Sequence, residues 1–117
     1  MPGSSHLNEH EGVRQALIAQ HKAGKRIGAI CAAPMVLAST GILEGKKATC
    51  YPGFEQYFSE NTEYTATLFQ EDGNVITGEG PAATLPYAYK ILSYFVSKET
   101  VAALQDGMMY DHLMKSK

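Results

Sequence analysis

Cys31 is the residue of this 117-residue chain with the most chemistry within reach. It closes the apolar run Ile27-Gly28-Ala29-Ile30 and is followed at once by Ala32-Ala33-Pro34, where proline in a first turn starts a helix that Met35, Val36, Leu37 and Ala38 continue. A cysteine at the end of a strand that turns tightly into a helix is exposed above the sheet, with the first N–H groups of the helix pointing toward it. Those unpaired amides and the helix dipole lower a thiol's pKa, and the N–H of Ala32 can stabilise an oxyanion on a bound carbonyl. The same Ile-Cys-Ala-Ala run also suits a buried cysteine that serves as a small hydrophobe.

Cys50, between Thr49 and Tyr51, stands at the end of the next strand. In a parallel sheet its loop approaches the loop holding Cys31, although by itself it reads as structural. Tyr51 can donate a hydrogen bond to a substrate oxygen or simply pack ahead of Pro52. Gly78-Glu79-Gly80-Pro81 follows a strand and precedes a helix, as a phosphate cradle would. It lacks a third glycine, and proline removes one donor, so a tight turn lining a pocket with Gly80 and Pro81 is the expectation. The four histidines, His6, His10, His21 and His112, lack metal-ligand spacing and read as solvated. His6 differs only because a loop at the carboxyl end of a preceding strand would border the active-site crevice. Met108, Met109 and Met114 suggest packing or an interface rather than metal binding.

Holding Cys31 in this way requires a strand and a helix on either side of it. Asn8 and Glu11 form a capping box, and Val13, Ala16, Leu17 and Gln20 trace a helical face as far as Gly24, which predicts a helix over 9–23. Residues 27–31 are apolar on both faces, the pattern of a strand buried inside a parallel sheet. A loop over 41–47, a short strand over 48–50 and a helix over 52–60 carrying Phe54, Tyr57 and Phe58 make a second strand–helix step. Strands over 64–69 and 74–77 flank Glu71-Asp72-Gly73, whose Asp-Gly pair favours positive φ in a hairpin. Leu85, Ala88, Tyr89 and Leu92, with Phe95 or Val96, repeat at helical spacing over 82–96, and 98–105 forms a further helix ending near Gly107.

Twelve acidic against ten basic residues give a net charge of -2 and a pI near 6.0, which offers no electrostatic affinity for nucleic acid or acidic lipid. The longest apolar runs fall far short of the roughly 18 residues that span a bilayer. The start Met-Pro-Gly-Ser-Ser-His has no secretory pattern, and two cysteines without a C-x-x-C spacing fit free thiols in a reducing cytoplasm. With 44% apolar residues, the chain has material for one small domain. Strands alternating with helices imply an α/β sandwich. Only about two central strands and a hairpin can be counted, fewer than a parallel sheet covered on both faces needs, so the chain reads as the carboxyl-terminal part of something larger.

Three ordered motifs carry a resemblance. They are Ala29-Ile30-Cys31-Ala32-Ala33-Pro34; Gly41-Ile42-Leu43 with Gly45-Lys46-Lys47-Ala48-Thr49; and Asp72-Gly73-Asn74-Val75-Ile76-Thr77 leading into Gly80-Pro81-Ala82-Ala83-Thr84. Together they resemble the ThiJ/PfpI superfamily, specifically the branch of the parkinsonism-associated protein deglycase and its bacterial relatives, nearly end to end. The resemblance implies a flavodoxin-like three-layer α/β sandwich of the class I glutamine amidotransferase type, with a mainly parallel sheet that here lacks its first strands. Residues 1–117 would be the carboxyl-terminal part of a single domain, usually dimeric. The reactive role falls on Cys31, with Ala32 as backbone donor and Tyr51, Gly80, Pro81 and His6 as substrate-binding residues.

The branch implies cytoplasmic, cofactor-independent and metal-free conversion of methylglyoxal or glyoxal to hydroxy acids, or deglycation of early glycation adducts, so the expected partner is a small aldehyde or a glycated substrate. A redox-responsive stress protein or holdase chaperone using oxidation of the same cysteine is the alternative, and a cysteine peptidase or amidase is third. Departures from the pattern matter here. The family's acid/base glutamate and its Pro-Gly-Gly turn should lie before Met1, with roughly 70 to 80 residues of a typical member absent. The chain alone is therefore expected to be inactive without a companion amino-terminal fragment. Tyr51 stands where some relatives place a histidine, which leaves a peptidase without a base. Glu79 replaces a basic or amide residue, and Ala33 and Ala82 replace frequent glycines.

Overall fold

The computed structural model describes residues 2–116. The chain divides into two units, Met1–Thr84 and Leu85–Lys117. In the first, helices α1 (Pro2–Glu9) and α2 (Glu11–Lys22) precede strand β1 (Ile27–Ile30), helix α3 (Pro34–Ser39) and strand β2 (Lys47–Ala48). A 3₁₀ turn over Phe54–Tyr57, strands β3 (Glu63–Tyr64), β4 (Phe69–Asp72) and β5 (Val75–Gly78), and a second 3₁₀ turn over Pro81–Ala83 follow. Helix α4 (Thr84–Leu92) leads into α5 (Lys98–Gly107) and α6 (Tyr110–Lys115).

Asp72-Gly73 makes the expected hairpin, with Gly73 at φ 61° and β4 antiparallel to β5. β1 runs parallel to β5, with Ile27 opposite Val75, so the sheet order is β1-β5-β4. The strand buried along its whole length is therefore β5, which has a neighbour on each side. The sequence pattern reads 27–31 as a buried strand of a sheet that lacks its first strands, and Ile27 and Ala29 are indeed buried. Among the described residues β1 pairs with β5 alone, and Gly28 is exposed while Ile30 is part-exposed. The hairpin turn is tied to β1 at its start, where Asn74 Nδ2 donates to the Lys25 carbonyl at 2.7 Å and Ile27 N–H donates to the Asn74 carbonyl at 2.8 Å.

The strand expected over 64–69 splits. Tyr64 joins β3, which runs parallel to β2 in a second sheet, and Phe69 starts β4, with Ala66 at φ 53° in the break between them. Side chains then bridge the two sheets. Lys47 N–H donates to Asp72 Oδ2 (2.8 Å), Thr49 N–H to Thr77 Oγ1 (2.9 Å), and Thr49 Oγ1 to the Thr67 carbonyl (2.8 Å). Thr49 and Thr77 are buried, so these bonds satisfy groups that would otherwise be costly to remove from water.

Ile27, Ala29, Leu37, Ile42, Leu43, Ala48 and Val75 form the core, with Leu17, Ala33, Ala38 and Phe58 packed against it. Each large aliphatic side chain there is worth about 1.5–3 kcal/mol of transfer free energy. The first helix differs from the sequence reading. His10, not Asn8, caps α2 by accepting the Val13 N–H on Nδ1 at 3.2 Å, because residues 2–9 form their own helix and engage Asn8 with Arg14 and Ser39. The helix expected over 52–60 shrinks to a 3₁₀ turn. Gly53 there takes φ 102°, and the Glu55 carboxylate accepts the Gly53 N–H at 2.8 and 2.9 Å.

In the second unit Tyr89 donates to Met108 Sδ at 3.2 Å and meets Tyr110 edge-on at 4.8 Å. Ser97 caps α5 by accepting the Thr100 N–H. Met109 at φ 57° breaks the chain into α6, which the sequence pattern did not foresee. Among the described residues, no helix is long and apolar enough to cross a membrane.

Candidate active site

β1 ends at Ile30 and α3 starts at Pro34, which leaves Cys31, Ala32 and Ala33 to reverse the chain. Cys31 does so at φ 68°, a left-handed conformation that costs an L residue with a Cβ about 1–2 kcal/mol and that proteins hold only where surrounding bonds enforce it. Two bonds enforce it here. Cys31 N–H donates to the Gly78 carbonyl at 3.0 Å, and the Cys31 carbonyl accepts the Tyr51 N–H at 2.7 Å. Cys31 forms no disulfide and is part-exposed as a residue. Ala32 is 3% exposed, and no acceptor among the described residues takes its N–H, leaving a buried donor next to the thiol.

The loop after β2 thus reaches the cysteine turn through Tyr51. Cys50 is fully buried, and its thiol is pushed up to about 12, chiefly by burial and further by the negative charges of Glu55, Cys31 and Glu79. It is a protonated core group beside a part-exposed one.

A cavity of about 180 Å³ opens between the same two walls, lined by Tyr51, Pro52 and Leu68 on one side and by residues 79–83 on the other. Tyr51 is 41% exposed, and Gly80 lies under its ring, where a Cβ would stand 3.4 Å from Tyr51 Cδ2. Tyr51, Gly80 and Pro81 are brought together around this cavity. Cys31, Ala32 and His6 are not among its lining residues, and His6 sits exposed on α1. Leu68 and Glu55 had no signal in the sequence: Leu68 joins the cavity through the break between β3 and β4, and Glu55 comes near Cys50 through the Gly53 turn.

A second cavity, of about 220 Å³, is lined by Ser5, Asn8, Glu9, Met35, Ser39 and Tyr57, with neither cysteine among them. Its polar side chains Asn8 and Ser39 are already engaged with each other and with Arg14. Among the described residues no group of three or more His, Cys, Asp or Glu is placed to hold a metal ion.

A part-exposed cysteine between a parallel strand and a helix, held by backbone bonds to the end of β5 and to the loop after β2, places the molecule among α/β proteins with a cysteine elbow. The chain belongs to the DJ-1/PfpI family, whose model matches residues 1–94. It is similar to Protein dj-1beta of Drosophila melanogaster, at 36% identity over 108 residues, covering 92% of this chain and 58% of that protein. The crystal structure of that protein superposes with a TM-score of 0.86 at 35% identity, over 93% of this chain and 59% of its own.

The glutathione-independent glyoxalase DJR-1.2 of Caenorhabditis elegans is 33% identical over 104 residues, covering 88% of this chain and 55% of that protein. Deglycase PH1704 of Pyrococcus horikoshii is 35% identical over 60 residues, covering 50% of this chain and 36% of that protein. The chain spans little more than half the length of the fly relative.

Proposed function

We propose that this chain is the carboxyl-terminal part of one DJ-1/PfpI domain that acts, without a cofactor, on small reactive carbonyls such as methylglyoxal or on glycated substrates. The observation that carries the reading is Cys31 at φ 68°, held by Gly78 and Tyr51, a free and part-exposed residue with the Ala32 N–H unclaimed beside it. A glyoxalase and a deglycase among the relatives support the substrate class. The Cys31 thiolate adds to the aldehyde carbon, and the oxygen, now negative, accepts the Ala32 N–H. A carboxylate from the amino-terminal segment of the family domain moves the proton from the former aldehyde carbon to its neighbour, leaving a thioester. Water then releases lactate and returns the thiol, so methylglyoxal and water balance lactate with no oxidant. Tyr51, Gly80 and Pro81 form the wall against which the substrate rests, and the family resemblance supports reading the working protein as a cytoplasmic homodimer.

The test is steady-state lactate formation from methylglyoxal by the chain, alone and supplied with the amino-terminal segment of the family domain, with Cys31→Ser as control. The expected result is silence from the chain alone and many turnovers from the pair, lost in Cys31→Ser. Turnover that survives Cys31→Ser overturns the reading. A second reading, a redox-responsive protein, is favoured by the free part-exposed thiol of Cys31, which needs no acid/base partner to be oxidised. Thiol modification without repeated turnover by the pair supports it.

A further inference from the structure

Among the described residues, the cavity between the Tyr51 and Gly80 walls has one charged residue in its lining, Glu79, and no lysine or arginine. Cys31 is not itself among the lining residues but is bonded beside both walls: its N–H donates to the carbonyl of Gly78, the residue before Glu79, and its carbonyl accepts the N–H of Tyr51. The Glu79 carboxylate takes no hydrogen bond or ion pair among the described residues, although the Glu79 backbone N–H is used by the Leu68 carbonyl at 3.0 Å. Glu55, the other acid near Cys50, has its carboxylate occupied by the Gly53 N–H and lies outside the cavity lining.

We propose that Glu79 sets the charge selectivity of this cavity, admitting neutral or cationic carbonyl compounds to Cys31 and rejecting those that carry a carboxylate. This deepens the carbonyl reading and rests on it. A carboxylate entering the cavity meets an uncompensated negative charge, finds no cation to pair with, and is partly stripped of water by apolar walls. A neutral α-oxoaldehyde loses nothing there, and an aldehyde bearing an amine or guanidinium gains a partner. Methylglyoxal is thereby favoured over glyoxylate, and this chain contributes to the selection through a side chain that forms no bond to the reacting carbon. Glu79 is a specificity-determining residue in this proposal, while Cys31 keeps the chemistry.

The test reads the cavity's charge directly on the whole chain. Cys31 is modified with hydroxyethyl, aminoethyl and sulfonatoethyl methanethiosulfonates, a size-matched neutral, cationic and anionic set. The thiolate attacks the reagent's sulfenyl sulfur, a mixed disulfide forms, and methanesulfinate leaves. Rates at Cys31 come from peptide mapping and are normalised to free cysteine. The expected order is cationic, neutral, anionic, with the extremes on the order of tenfold apart at low salt and converging at molar salt. In Glu79→Gln, a near-isosteric change, the normalised rates converge to within about twofold.

Equal normalised rates in the unmodified chain overturn the proposal, as does an order kept in Glu79→Gln but lost in Glu55→Gln. Either result leaves Cys31 reactive and the carbonyl reading standing. No reaction at Cys31 with any reagent removes both. The salt series on the unmodified chain needs no variant to fold.

Discussion

Iodoacetamide offers a direct trial of how differently the two cysteines are placed. The thiol of Cys50 moves from an ordinary 9.0 to about 12, which leaves roughly a thousandfold less thiolate near neutral pH than an ordinary cysteine has. Higher basicity makes each thiolate more nucleophilic, and a Brønsted slope of about 0.4–0.5 returns some 20-fold of that loss. The remainder is a rate about 50-fold below free cysteine before access is counted, and Cys50 is fully buried. Cys31 is a free and part-exposed residue. Limited alkylation at pH 7.5 followed by peptide mapping is expected to place the label on Cys31 first, with Cys50 reacting only as the chain opens, and both labelling together in denaturant. Native Cys50 labelled within tenfold of free cysteine, or ahead of Cys31, would refute the assignment of Cys50 to the core and of Cys31 to the reactive turn.

The same burial predicts a pH dependence. Because the fold raises the Cys50 pKa, its contribution to stability is full below pH 9.0 and is lost as pH rises through about 12, on the order of 4 kcal/mol in all. Denaturant midpoints between pH 8 and 11 are expected to fall more steeply in the native chain than in Cys50→Ala, and parallel slopes contradict this. Thr77→Val leaves the buried Thr49 N–H without its 2.9 Å acceptor and is expected to cost about 1–3 kcal/mol in urea unfolding, with Thr77→Ser recovering most of it; an unchanged midpoint in the valine variant shows the bond to be dispensable. At φ 68°, Cys31→Gly is expected to unfold about 1 kcal/mol later than Cys31→Ala, since both remove the thiol and only glycine is free of the left-handed penalty. An alanine variant as stable as the glycine one rules out strain at that turn.

The elbow itself was legible in the sequence because its signals are local: an apolar run, one cysteine, and a proline in the first helical turn. The hairpin was legible for the same reason, through Asp72-Gly73. What escaped depends on contacts distant along the chain. Nothing local in 27–31 or 75–78 says how many neighbours each strand has; among the described residues β5 lies between β1 and β4, and β1 pairs with β5 alone. The segment 64–69 alternates well enough for a strand, yet the bridge from Thr49 to the Thr67 carbonyl pulls it out of line, and that bond spans 18 residues. Asn8 and Glu11 satisfy a capping pattern, but the folding of residues 2–9 into a separate helix hands the cap to His10. Glu79 was legible as a departure from a pattern. Its place in the cavity lining required the backbone that bonds Cys31 to both walls.

Those two backbone bonds have a consequence for how the protein can change over generations. Gly78 and Tyr51 grip the peptide group of residue 31, and neither bond depends on which side chain that residue carries. The scaffold therefore does not rely on the thiol for its shape. A lineage in which serine, alanine or glycine replaces the cysteine keeps the sheet, the turn and the cavity, and a single codon restores the sulfur. At this position the thiol can be lost and regained without losing the two bonds that hold the turn.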